Sequence, residues 1–194
     1  VRRRLDERVR SQRRGVYGLA VVSACEGKHI VLVGMMGAGK SSVGRVLAQK
    51  LHRPLLDSDE LIEERTGRTV REIWVSDGEA AFRAIETETL LAMLSDDEPA
   101  VVAAAGGVVL AEANRCALTE SDAHVVWLLA NVELLVTRVK NGVHRPLLDD
   151  DPEGMLRQMY TDREALYTEV ADAVVSVDHR SINEVAQAVL RCAG

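Results

Sequence analysis

Gly34-Met35-Met36-Gly37-Ala38-Gly39-Lys40-Ser41 stands between the apolar run His29-Ile30-Val31-Leu32-Val33 and a stretch with helical spacing at Val43, Val46, Leu47 and Leu51. A G-x-x-x-x-G-K-[ST] pattern set between a strand and a helix is a phosphate-binding loop. Its glycines let successive backbone N–H groups turn toward phosphate oxygens. The following helix adds the positive end of its dipole. Lys40 supplies a point charge for the β- and γ-phosphates, and Ser41 offers a hydroxyl to Mg²⁺. A glycine turn without a ligand is the competing explanation, and the strand before the loop and the helix after it weigh heavily against it.

Working outward, short apolar runs alternate with longer amphipathic ones. A second strand is expected at 54–56, ending at Asp57, a third at 100–105, ending at Gly106-Gly107, a fourth at 123–129 and a fifth at 173–177. Helices are expected between them. Thr69-Val70-Arg71-Glu72 and Ser181-Ile182-Asn183-Glu184 are capping boxes. Asp77-Gly78-Glu79 starts a separate long helix, and Asp151-Pro152-Glu153 is a cap with proline at the first helical position. Nearly all-apolar strands alternating with helices predict an α/β fold, a five-stranded parallel sheet with helices on both faces. Ligands of such folds lie beyond the carboxyl ends of the strands, where the candidate residues fall.

The 194 residues suit a single domain with a sizeable core, and aromatics make up only 3%, so Val, Leu, Ile and Ala must fill it. The net charge of −6 argues against a dedicated nucleic-acid binder. It is unevenly spread: Arg2, Arg3, Arg4, Arg8, Arg10, Arg13 and Arg14 face only Asp6 and Glu7 in the first fourteen residues. Residues 1–28 are therefore expected to be a basic extension without fixed structure, and 29–194 the folded domain. Arg13-Arg14 before the apolar run 16–24 and Cys25 imitates an export signal, but the run is short and broken by Gly18. A cytoplasmic protein without membrane segments is expected. Cys25, Cys116 and Cys192 are far apart and form no metal-ligand spacing. His-Arg-Pro-Leu-Leu-Asp occurs at 52–57 and 144–149 with unrelated flanks, which is coincidence and not duplication.

A phosphate loop alone does not separate GTPases, ATPases and kinases. The chain has no Asn-Lys-x-Asp guanine-reading motif, and its third strand ends in glycines where an aspartate would serve Mg²⁺. Asp57 is the natural replacement. In an extended segment Asp57 and Asp59 would point to one side, one toward metal-bound water and the other toward the proton of an attacking hydroxyl. Helix capping by Ser58 or Asp59 explains the pair nearly as well. Arg145, in the polar segment 141–151, suits a closing lid that brings a cation to the phosphates, although an ordinary surface arginine fits there too. Arg83 and Arg163, on predicted helices, could hold an acceptor carboxylate through their guanidinium forks. Glu86, three residues after Arg83, could fix the orientation of Arg83.

GMMGAGKSS at 34–42, LLDSD at 55–59, RTG at 65–67, DGEAAFRAIE at 77–86, AGG at 105–107, RPLL at 145–148 and R-x-x-L-Y at 163–167 occur in the order found in shikimate kinases, which the chain resembles over about 29–192. The resemblance implies a nucleoside-monophosphate-kinase-like fold with a mobile lid at 141–151. It implies phosphorylation of shikimate to shikimate 3-phosphate by ATP with Mg²⁺, a step toward chorismate and the aromatic amino acids. Gly37, Ala38, Gly39, Lys40, Ser41 and Ser42 would wrap the phosphates, with Ser41 and Asp57 serving Mg²⁺. Asp59 would take the acceptor proton, and Arg83 and Arg163 would clamp the carboxylate beside Gly106 and Gly107. Arg138 would lie near adenine, Arg145 would close on the phosphates, and Arg180 would reach the nucleotide. A monomer is expected, with small-molecule substrates only and no nucleic-acid or membrane partner. Ala105 departs from the family's usual glycine, and is harmless only if its φ is negative. Two rival readings stand beside this one: a gluconate kinase of similar build, and a nucleotide-responsive domain that has lost chemistry.

Overall fold

The computed structural model describes residues 27–140 and 151–193. The arginine-rich segment, the 16–25 run, Arg145 and nearly all of the expected lid lie outside the described residues.

Strands β1 (Ile30–Val33), β2 (Leu55–Asp57), β3 (Val101–Ala103), β4 (His124–Leu129) and β5 (Ala173–Ser176) form one sheet in the order β2-β3-β1-β4-β5. Every pairing is parallel, as nearly all-apolar strands require. All four residues of β1 are buried, each side chain contributing about 1.5–3 kcal/mol through burial. Helices α1 (Lys40–Leu51), α2 (Ser58–Thr66), α3 (Val70–Leu94), α4 (Glu112–Glu120), α5 (Val132–Lys140), α6 (Pro152–Val170) and α7 (Ile182–Ala193) connect the strands and complete the chain. A 3₁₀ turn, Val108–Leu110, precedes α4.

The expected caps are present. Thr69 and Glu72 form a reciprocal capping box at α3, Ser181 and Glu184 repeat it at α7, and Asp151 accepts from the Gly154 N–H ahead of α6. The Asp77-Gly78 break is real: Gly78 has φ 83° and ψ 172°, so α3 is two helical segments joined at a kink. The third strand is shorter than the 100–105 run predicts. Its ladder closes with Ala104 N–H donating to Leu32, after which Val108 N–H donates back to Ala105 and the chain turns.

Two apolar clusters result. The large one surrounds the sheet. The small one, Ile62, Ile73 and Phe82 with Val70, Trp74 and Ile85 against them, joins α2 to α3. Trp74 and Phe82 meet edge to face at 5.4 Å. This second cluster carries Arg83 on its flank, 5.3 Å from the Trp74 ring and 5.4 Å from that of Phe82. A guanidinium beside two ring faces is attracted by their quadrupoles.

Candidate active site

The strand order β2-β3-β1 sets three carboxyl ends side by side. β1 delivers the glycine-rich loop, β2 delivers Asp57-Ser58-Asp59, and β3 delivers the segment ending at Gly106. Together they line a cleft of about 430 Å³, with Arg138 from α5, Arg180 after β5, and the apolar Val177, Ile182 and Val185 along its far wall. A polar floor with an apolar wall suits a nucleotide, phosphates at one end and base at the other.

Within the loop, Gly34 adopts φ +141°, and a β-carbon there would stand 2.6 Å from the Leu128 carbonyl. Glycine alone lets the loop leave β1 so close to β4. Lys40 Nζ donates to the carbonyls of Gly34 (2.8 Å) and Met35 (3.0 Å), which holds the ammonium over the loop. Gly39, at φ 94°, caps α1 without a side-chain hydrogen bond, and the N–H groups of a helix's first turn are suited to an anion. Arg138 Nη1 donates to the Gly37 carbonyl at 2.9 Å, a contact that ties α5 to the loop and that the sequence did not announce.

Asp57 and Asp59 do come together at the cleft, but not through extended backbone. Asp57 is the N-cap of α2, its Oδ1 accepting from Asp59 N–H at 3.1 Å, and Asp59 lies in the first turn. The cap is thus Asp57, not Ser58 or Asp59. Capping consumes one Asp57 oxygen and leaves the other for a cation. The buried Ser58 hydroxyl has no hydrogen-bond partner among the described residues. The Asp57 carboxylate and the Ser41 hydroxyl, both on residues that line the cleft, offer hard oxygen donors. They suit Mg²⁺, which takes few protein ligands and completes its shell with water and phosphate.

Arg83 and Arg163 adjoin the cleft from behind its glycines and are not part of its lining. Arg83 Nη1 donates to both Glu86 oxygens, at 3.0 and 2.9 Å, and its Nε and Nη2 face Glu79 at 3.4 and 3.3 Å. Glu86 is only 2% exposed. Burial pushes its carboxyl above the ordinary range, Arg83 and Arg163 oppose that push, and Asp59 adds to it. These four charges therefore share one field. Arg163, also buried, donates to the Gly106 carbonyl at 3.3 Å. Ala105 is unstrained, since His52 and His179 are the only described non-glycine residues with positive φ.

Gly107 has ordinary helical φ and ψ, yet a β-carbon there would fall on the Arg83 guanidinium, 2.6 Å from its central carbon. The alanine backbone is allowed, so Gly107→Ala should act through displaced Arg83. The expected result is an acceptor KM raised about tenfold with a lowered melting temperature, because the displaced Nη1 is the donor to buried Glu86. Steady-state kinetics beside a thermal melt check it; an unchanged KM would detach Gly107 from Arg83.

Three further residues hold the site and went unread in the sequence. Tyr167 donates to the Gly106 carbonyl at 2.6 Å. Asn114 donates to the Val108 carbonyl at 2.9 Å. Arg115 Nη1 reaches the carbonyls of Val109 and Leu110, and its Nε pairs with Glu169 on α6. Tyr167 fell within a quoted motif, but no pattern gives a tyrosine's hydroxyl its partner.

The family model described as shikimate kinase matches residues 36–193. Shikimate kinase of Symbiobacterium thermophilum is 41% identical over 165 residues, covering 84% of this chain and 94% of that protein. Among solved structures, shikimate kinase from Acinetobacter baumannii in complex with shikimate superposes with a TM-score of 0.82 at 38% identity, covering 88% of this chain and 95% of that one. A gluconokinase from Sinorhizobium meliloti shares the fold alone, at TM-score 0.56 and 22% identity over 86% of this chain and 91% of that one. On the family model, the relative's identity over most of both chains and the shared fold, the chain belongs to the shikimate kinase family.

Proposed function

We propose that this chain transfers the γ-phosphoryl group of ATP to the 3-hydroxyl of shikimate in the cleft above Lys40. The carrying observation is the side-by-side delivery of the loop, Asp57-Ser58-Asp59 and Gly106 by three adjacent strands. The N–H groups from Gly37 to Ser42 would surround the phosphates, and Lys40 would neutralise charge that builds on them. Mg²⁺ would be held by Ser41 directly and by Asp57 through water, supplying charge neutralisation on the phosphates when bound. Asp59 accepts the proton of the attacking hydroxyl as its oxygen bonds to phosphorus and the bond to ADP breaks. Arg83 and Arg163 would hold the carboxylate of shikimate, fixing which hydroxyl faces the phosphorus. Arg138 and Arg180 would flank the nucleotide, and Arg145 would close over the phosphates. Among the described residues no helix is long and apolar enough to cross a membrane.

The gluconate and sensor readings fare worse. The gluconokinase likeness extends to the fold only, and Ala105 carries no strain that would argue for lost chemistry. Coupled ADP release with shikimate, with gluconate and with no acceptor decides among the three. Shikimate alone should support turnover. Turnover with gluconate only would overturn the assignment, and ATP binding without any turnover would favour the sensor.

A further inference from the structure

The Gly106 carbonyl has two donors from α6. Tyr167 Oη is close, at 2.6 Å, and Arg163 Nη1 is distant, at 3.3 Å. A carbonyl oxygen can accept two bonds; here the short one from the hydroxyl is the stronger, and the long one leaves the guanidinium loosely engaged. Tyr167 is 1% exposed, and its ring stacks on Trp127 of β4 at 5.6 Å and 22°. Trp127 in turn lies beside Gly34, its Cδ1 3.4 Å from where a β-carbon would stand. The hydroxyl is thus positioned by the sheet and the root of the phosphate loop, not by α6 alone. Burial raises the pKa of the phenol, so it stays a donor across the working range of an enzyme. The Gly106–Gly107 peptide is trans, so directing its carbonyl at α6 turns the Gly107 N–H away from α6.

We propose that Tyr167 is a positioning residue for acceptor recognition: by taking the stronger bond to the Gly106 carbonyl it leaves the Arg163 guanidinium to the acceptor carboxylate. Without the hydroxyl, Arg163 is the remaining side-chain donor at this part-buried carbonyl, and an acceptor with limited access to water draws such a donor. The guanidinium would then close on the loop at the expense of the carboxylate. The inference rests on the function proposed above and names a determinant of its acceptor specificity.

Tyr167→Phe keeps the ring and its stack. Three quantities are measured: kcat/KM for shikimate, kcat/KM for its methyl ester, which has the same hydroxyls and no charge, and KM for ATP. The variant should lose about tenfold with shikimate, and less than about twofold with the ester or in KM for ATP. In an Arg163→Ala background the same substitution should cost nothing further, because residues acting through one group are not additive. Equal losses with acid and ester, or an undiminished loss without Arg163, would overturn the positioning role. If the wild type turned over no shikimate, the proposed function would fail first. Trp127→Phe, which loosens the stack but keeps the hydroxyl, covers the case of a misfolded Tyr167→Phe: it should show the same acid-selective loss at smaller size, and a uniform loss counts against the proposal.

Discussion

Asp59→Asn lowers kcat by about three orders of magnitude and leaves KM for ATP within about twofold. The substitution is nearly isosteric, and the carboxylate of Asp59 is not what starts α2. That task belongs to Asp57, whose side chain accepts the Asp59 backbone N–H, and asparagine keeps this N–H. The Asp59 carboxylate stands within the first turn, where its charge favours the helix by about 0.3–1 kcal/mol. The protein therefore stays folded, and the phosphate loop, built on β1 and α1, is untouched. What disappears is a proton acceptor beside the attacking hydroxyl. Stopped-flow or steady-state kcat, with nucleotide affinity measured separately, checks the result. A kcat within tenfold of wild type would take Asp59 out of the proton-transfer role. A second readout accompanies it: Asp59 helps raise the pKa of Glu86, so the Glu86 carboxyl should titrate lower in the variant.

The parallel sheet was legible because its strands are nearly all apolar and alternate with helical stretches. The caps were legible because Thr69, Asp151 and Ser181 do their work within three residues of themselves. Strand order was not, since no local pattern says that β3 inserts between β1 and β2, although this insertion sets Gly106 beside the loop. The acidic pair was found and its backbone misjudged: period-two alternation was assumed where a helix begins one residue after the strand ends. The alternation would have aimed the two carboxylates alike, whereas the cap gives each its own task. Tyr167, Asn114 and Arg115 escaped because their partners are backbone carbonyls far away in sequence or on an irregular turn. Arg83 and Glu86 were legible as a pair by their spacing. The depth at which Glu86 is buried was not, and it makes the pair more than an ordinary helix salt bridge.

That depth dictates the second large effect. Arg83→Ala raises KM for shikimate by about 50-fold through loss of a charge-assisted bond, and it also strands a buried carboxylate. Breaking a buried pair by removing one partner costs about 3 kcal/mol; Glu86 is 2% exposed, and Arg83 Nη1 donates to both of its carboxylate oxygens. The stability loss depends on pH with a definite sign. Burial raises the Glu86 pKa and Arg83 lowers it, so removing Arg83 raises the folded value further. A carboxyl whose folded pKa is raised contributes stability fully below its unfolded value, about 4.5, and loses that contribution as pH rises through the folded one. The variant should therefore melt close to wild type in acid and fall progressively behind as the pH rises toward neutrality. Adding Glu86→Gln removes the stranded charge, so the double variant should recover most of the melting temperature at pH 7 while its shikimate KM stays high. Melting curves from pH 4 to 8, with kinetics on both variants, separate the two effects. A double variant as unstable as Arg83→Ala would show that the cost lies in lost packing against Trp74 and Phe82, and an unchanged KM would remove Arg83 from the carboxylate clamp.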